Sequence, residues 1–142
     1  MPVESLVRSL LPNKEIDMLG MKDAAANIAV RNMKTARKFY EGTLGLKPVS
    51  TQGEELVAYR SGSSTILVYR SDYAGTNKAT ALTWTVGDDV EAIARALKGK
   101  GVSFEHYDMP GMTLKGDVHA APAMKIAWFK DPDGNILSIV SG

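Results

Sequence analysis

Cysteine is missing from all 142 residues, which excludes disulfides, a thiolate nucleophile and a thiolate metal site. A cytoplasmic location fits that absence. No stretch approaches the roughly 18 apolar residues of a membrane span, so no membrane partner is expected. Neither sign of charge dominates. Lys and Arg total 17 against 16 Asp and Glu, a net charge of +1. That balance gives nucleic acid no electrostatic footing. The first twenty residues carry Glu4, Arg8, Lys14, Glu15 and Asp17 where a secretory signal would have an unbroken apolar core. No serine stands in a nucleophile-elbow pattern. Gly42, Gly45, Gly99 and Gly101 are read as helix ends and not as a phosphate loop. What is present, 44% hydrophobic and 23% charged residues, is the composition of an ordinary globular domain.

Residues 1–21 stand apart as an extension, and residues 22–142 form a single domain. In the extension, Glu4 to Leu11 could form a short amphipathic helix with Leu6, Leu10 and Leu11 on one face, ended by Pro12. It reads either as a loosely ordered tail or as an arm for a partner subunit.

The domain repeats. In the first unit, about 22–73, the apolar run Ala24–Val30 reads as a strand. Asn32 is placed to cap a helix over about 34–43, and Gly45 stops it. Strands follow at 47–50, 55–60 and 65–70, the last two joined by Ser61-Gly62-Ser63-Ser64. The second unit, about 79–141, has a strand at 81–86 and a helix over 90–98 capped by Asp88 or Asp89. A strand at 102–107, a long loop over 108–123, and strands at 125–129 and 135–140 complete it. The turn Asp131-Pro132-Asp133-Gly134 suits a type I conformation. Each unit is thus β-α-β-β-β. The expected class is α+β: two such modules forming curved mixed sheets around a shared cavity, with helices outside.

Two segments carry a family likeness. Phe39-Tyr40-Glu41-Gly42-Thr43-Leu44-Gly45-Leu46 and Phe129-Lys130-Asp131-Pro132-Asp133-Gly134-Asn135, in one repeated chain, resemble the glyoxalase, bleomycin-resistance and extradiol dioxygenase group, the vicinal oxygen chelate superfamily. The resemblance covers about 22–141. It implies four metal-ligand positions, one on the first and one on the last strand of each module. These fall on Ala25, Val68, Ala81 and Ser138, where such proteins usually carry His, Gln or Glu. Ala and Val have no donor atom, and a lone neutral Ser hydroxyl is a poor ligand. Neither a metal nor another cofactor is therefore expected.

Alternation puts Ala25, Asn27 and Ala29 on one face of the first strand and Ala26, Ile28 and Val30 on the other, against the helix. In the second module Ala81, Thr83 and Thr85 face the cavity, while Leu82, Trp84 and Val86 face the helix. The resemblance places Tyr59 and Trp128 on the cavity walls, with Ile126 beside Trp128. The candidate ligand site is then Asn27, Tyr59, Thr83, Ile126, Trp128 and Ser138, with His106 as a further candidate. These side chains either hold a ligand or simply fill the concavity of the sheets. His106, and His119 in the long loop near Asp117, read as a base or weak metal site, or as surface and cavity-rim residues. Met109, Met112 and Met124 flank the loop and suit either packing or an adaptable surface.

The resulting expectation is metal-independent binding of a small flat or apolar molecule, similar to bleomycin-resistance-type proteins. The alternative is a glyoxalase-like lyase or isomerase, or a dioxygenase, with a relocated or absent metal. The resemblance also implies a homodimer, with modules pairing within or between chains.

Overall fold

The computed structural model describes residues 18–142. The expected helix over 4–11 lies outside the described residues. Leu19–Met21 form one exposed helical turn ahead of the domain.

Strand β1 (Ala25–Val30) leads into helix α1 (Met33–Arg37). Asn32 caps it as expected: its Oδ1 accepts from Thr35 N at 2.9 Å. The helix does not run on unchanged to Thr43. Over Lys38–Thr43 it widens into a π turn, and Leu44 N donates to Phe39 O at 2.9 Å. Gly45, at φ +76°, ends it. Strands β2 (Lys47–Gln52), β3 (Leu56–Ser61) and β4 (Ser64–Arg70) follow, and the sheet order is β1-β4-β3-β2. Its β1–β4 pair is parallel and the others are antiparallel.

The second module has β5 (Thr80–Thr85), α2 (Val90–Gly99), β6 (Phe104–Glu105), β7 (Thr113–Lys115), β8 (Val118–Ala121), β9 (Met124–Lys130) and β10 (Ile136–Val140). Its order is β5-β10-β9-β8-β7, with β6 also on β9. Asp89 occupies the cap position of α2, but its side chain makes no capping hydrogen bond. The strand expected over 102–107 shrinks to two residues. Part of the expected loop is instead the hairpin β7–β8, turning on Gly116 (φ +64°) and Asp117. Segments β6 and β8 both pair with β9, β6 opposite Trp128 and Phe129 and β8 opposite residues 124–126.

Each sheet has a helix face and an open face. Ile28, Val30, Ile66 and Val68 of the first module and Ala127, Phe129, Leu137 and Ile139 of the second share one buried core. Ala36, Tyr40, Ala94 and Leu97 from the helical segments complete it. Full burial of each large aliphatic side chain contributes about 1.5–3 kcal/mol. The fold is therefore α+β, two mixed sheets with few helices, as expected from the repeat. The open faces do not meet within the chain: Ala25, Asn27, Thr65, Ala81, Thr83 and Thr85 are exposed. The expected shared cavity is thus not enclosed by one chain.

A polar latch joins the modules. Asp131, buried, accepts from Tyr40 Oη at 2.7 Å and from Asn135 Nδ2 at 2.8 Å. Its Oδ1 accepts from the backbone N–H groups of Asp133 and Asn135 at 2.9 Å each. Asn135 Nδ2 also donates to Ala29 O of β1 at 2.7 Å. Burial first, and then the Asp131 carboxylate, pushes the Tyr40 hydroxyl far above its ordinary pKa. The linker between β4 and β5 touches the same turn. Gly75, at φ +73°, approaches so closely that a Cβ there would collide with the Asp133 carbonyl.

Candidate functional site

Strand β9 decides which side chains reach the open face of the second sheet. Ala127 and Phe129 go to the core, so Ile126 and Trp128 go the other way. Ser138 lies opposite Trp128 on β10 and beside Thr83 on parallel β5. The Thr83 and Ser138 hydroxyls share a hydrogen bond of 2.7 Å, and Ser138 is fully buried. His119 on β8 pairs with Ile126 and completes the row.

Trp128 is the centre of an aromatic cluster. Its ring centroid lies 4.9 Å from that of His119 and 5.2 Å from that of Tyr107, both nearly edge-on. Such pairs contribute about 0.5–1.5 kcal/mol each beyond area burial. Trp128 Nε1 donates to Thr80 Oγ1 at 3.2 Å, which fixes the indole in the sheet. Beside it opens a hollow of about 580 Å³, walled by Trp128, Tyr107, Thr80, Ile136 and the linker residues Asn77 and Lys78. The ion pair of Glu105 and Lys130, 3.3 Å, stands at its rim. Burial first, and then Glu105, raises the Tyr107 phenol pKa.

Tyr59 requires a correction. It is fully buried on the helix face, stacked on Tyr40 at 6.1 Å, and donates to Glu41 Oε2 at 2.7 Å. Burial first, and then the Glu41 carboxylate, raises its pKa well above that of a free phenol. Tyr59 and Trp128 are not equivalent positions but differ by one residue of register: Tyr59 pairs with core-facing Ile66, whereas Trp128 pairs with Ser138. A slip of one residue reverses the face of every side chain. The same slip affects Val68, which lies opposite Ile28 in the core. Its open-face neighbour Leu67, beside Asn27, is the structural match of Ser138 beside Thr83. Asn27 remains on the open face of the first sheet, exposed, with Nδ2 donating to Ala25 O at 3.3 Å. No hydrogen bond connects it to Thr83, Ser138 or Trp128 among the described residues.

The two histidines serve different surroundings. His106 Nε2 lies 2.8 Å from Asp117 Oδ1, half exposed, and Lys98 Nζ approaches the other Asp117 oxygen at 3.3 Å. The hydrogen bond from His106, and then Lys98, holds the Asp117 carboxyl below its usual range. His119 is no rim residue. It is buried behind Trp128, with Nε2 at 2.9 Å from Tyr107 N and Nδ1 without a hydrogen-bond partner among the described residues. The sequence reading puts His119 in a loop, whereas it sits on a strand of the β7–β8 hairpin. The signal was Gly116-Asp117 between two short runs of strand formers.

The metal positions implied by the resemblance can now be tested on chemistry. With Leu67 in place of Val68, they are Ala25, Leu67, Ala81 and Ser138. Only Ser138 has a side-chain oxygen, and it is already paired with Thr83. This set does not fit a divalent ion. Among the described residues, no group of three His, Asp or Glu side chains is arranged to hold a metal.

Two modules, each a strand, a helix and further strands with the β7–β8 hairpin added in the second, share one core on their helix faces and define a glyoxalase-type module pair. The chain belongs to the Glyoxalase/Bleomycin resistance protein/Dioxygenase superfamily, whose family model matches residues 22–139. Solved structures share the fold. Lactoylglutathione lyase from Agrobacterium tumefaciens superposes with a TM-score of 0.67 at 15% identity, over 86% of this chain and 94% of that one. A bleomycin-binding protein from Streptomyces verticillus, solved with copper(II)-bleomycin, gives 0.62 at 21% identity, over 88% and 99%. A genomically encoded fosfomycin resistance protein from Listeria monocytogenes gives 0.64 at 12%, over 86% and 91%. No curated protein matches the chain. Among the described residues, no helix is long and apolar enough to cross a membrane.

Proposed function

We propose that this protein binds a small flat or apolar molecule, without a metal, on the open face of its second sheet. The observation that carries this is Trp128, held rigidly by Tyr107, His119 and Thr80 beside a hollow of about 580 Å³. A prefixed aromatic wall with a few neutral donors suits stacking and one or two hydrogen bonds. Thr83, Ser138 and Ile126 extend the same face, and Asn27 would contribute from a facing sheet. Because the open faces of β1 and β5 are exposed in one chain, a second copy is the natural cover, and a homodimer is part of the proposal. A bleomycin-binding protein among the structural neighbours supports sequestration as the activity, since sequestration needs affinity alone.

The lyase or dioxygenase alternative draws less support. It needs His106, His119, Glu105 or Asp117 to converge on the cavity. The two imidazoles do lie 6.4 Å apart, but His106 is bonded to Asp117 near the surface and His119 Nε2 to the Tyr107 backbone, so each ring already has a structural partner.

The test is a titration of the full chain with a panel of planar aromatic compounds, read by fluorescence, beside elemental analysis of the same preparation. Trp128→Leu should weaken a bound aromatic compound by roughly 2- to 12-fold, the value of one aromatic contact. A compound that binds tightly and is indifferent to Trp128 would place the site elsewhere. One transition-metal ion held per chain, lost on Ser138→Ala, would refute the metal-free reading.

A further inference from the structure

The side chains around the hollow beside Trp128 offer donors and have few acceptors left. One stretch, Asn77-Lys78-Ala79-Thr80, carries the linker into β5 and lines the hollow throughout. Asn77 Oδ1 accepts from Ala79 N at 3.0 Å, a local turn that uses the carbonyl end of the amide and leaves its Nδ2 protons over. Thr80 Oγ1 accepts from Trp128 Nε1 at 3.2 Å. A hydroxyl that accepts in this way still has its own proton to donate. Tyr107 is tied to His119 through its backbone, and its raised pKa keeps the phenol a protonated donor at neutral pH.

The charges point the same way. Glu105 is the one carboxylate among the residues that line the hollow, and Lys130 lies 3.3 Å from it. That pair is close to neutral as a unit. Lys78 is exposed, and no carboxylate pairs with it among the described residues. One positive charge is therefore left over beside the Trp128 ring. A neutral ring stacked there would leave Lys78 and the Asn77 and Thr80 donors to water. A cation would meet Lys78 and find Glu105 already engaged. A carboxylate presents two acceptor oxygens with about four lone-pair sites, and its hydrogen bonds to these donors are charge-assisted.

We propose that the ligand of this hollow is a planar aromatic acid, with its ring on Trp128 and its carboxylate turned to Lys78, Asn77 and Thr80. The inference rests on the Trp128 site proposed above and adds the charge and acceptor pattern of what fills it.

Three probes of one shape test it by calorimetric titration of the full chain: 2-naphthoate, the neutral 2-naphthamide and the cationic 2-naphthylmethylammonium. Naphthoate should bind about 2- to 5-fold tighter than the amide, the value of one exposed ion pair, and the cation weakest. Lys78→Gln should erase the preference for the acid, and Lys78→Arg should keep it. Raising the ionic strength from about 0.01 M to about 1 M should narrow it, because screening acts on the charge and not on the stacking. Trp128→Leu should weaken acid and amide alike. Far-UV circular dichroism checks that each variant is folded. Equal binding of acid and amide, both weakened by Trp128→Leu, overturns the proposal and leaves the aromatic wall standing. So does tighter binding of the cation, or a preference for the acid that survives Lys78→Gln. Probes that bind but ignore Trp128→Leu sit elsewhere, as in the apolar groove of about 690 Å³ beside Trp84, and overturn the Trp128 site and this inference together. Binding by none of the three has the same consequence.

Discussion

Removing the Tyr40 hydroxyl should cost more than its size suggests. Tyr40→Phe deletes one oxygen, but that oxygen donates to a buried carboxylate at 2.7 Å. A hydrogen bond to a charged group contributes about 1.5–3 kcal/mol. Asp131 keeps its bonds to Asn135 Nδ2 and to two backbone N–H groups, so its charge stays compensated and the loss stays within that range. Asp131→Ala is more severe. It strips the acceptor from Tyr40, from Asn135 and from the turn at once, and about 3–5 kcal/mol is expected. In the Asp131→Ala background, Tyr40→Phe should be neutral or slightly stabilising, because it removes a buried hydroxyl that has lost its partner. The two changes are therefore non-additive, with a coupling of about 1.5–3 kcal/mol. Urea unfolding, followed by far-UV circular dichroism, measures it. With a slope of about 1–3 kcal/mol per molar urea, Tyr40→Phe should lower the midpoint by about 1 M. Additive losses would refute the shared bond, and a Tyr40→Phe cost below about 0.5 kcal/mol would show that the latch contributes nothing net.

Other outcomes follow from placement. Trp84→Ala should cost about 1–3 kcal/mol, below the 3–5 kcal/mol of a fully buried tryptophan, because its side chain is only partly buried and lines a groove; a larger loss in urea titrations would contradict that exposure. Tyr59→Phe should leave ligand affinity unchanged, because its hydroxyl is bonded to Glu41 on the core side, while lowering the urea midpoint; weakened ligand binding in the folded variant would put Tyr59 back on the cavity wall. Acid should destabilise the protein through Glu41, whose carboxyl is held low first by Arg37 and then by Tyr59. A depressed folded pKa means stability that is present above the unfolded value of about 4.3 and lost as pH falls through the folded one. Glu41→Gln should therefore flatten the acid limb of midpoint against pH, and an unaltered limb would rule Glu41 out as its source.

Much of the fold was legible because local signals agreed with one another. The Asn32 cap, the turn at Asp131–Gly134 and the period-two patterns of β1 and β5 each read the same way in sequence and structure. What failed was alignment between the modules. Ile66-Leu67 and Ile136-Leu137 look alike, yet core-facing Leu137 matches Ile66, so the apparent repeat is displaced by one residue. In a strand buried on one face and half-covered on the other, as β4 is, composition does not reveal that displacement. The hairpin at 113–121 failed for a different reason: its strands are three and four residues long, too short for periodicity to show. The candidate site suffered in proportion. Thr83, Ile126, Trp128 and Ser138 share one face, while Tyr59 lies in the core and His119, expected at a loop or rim, is buried on that face.

The contact of Gly75 with the Asp133 carbonyl bears on how copies of this chain can assemble. The linker is pinned to the very turn that latches onto the π turn after α1 through Tyr40 and onto β1 through Asn135. Exchanging a module with a neighbouring molecule would require that turn, the linker and both of its polar ties to come apart together. Such a route passes through something close to global unfolding. Assembly of the folded protein is therefore confined to adding surfaces to surfaces, and a swapped arrangement, once formed during synthesis, would be kinetically trapped with no easy way back.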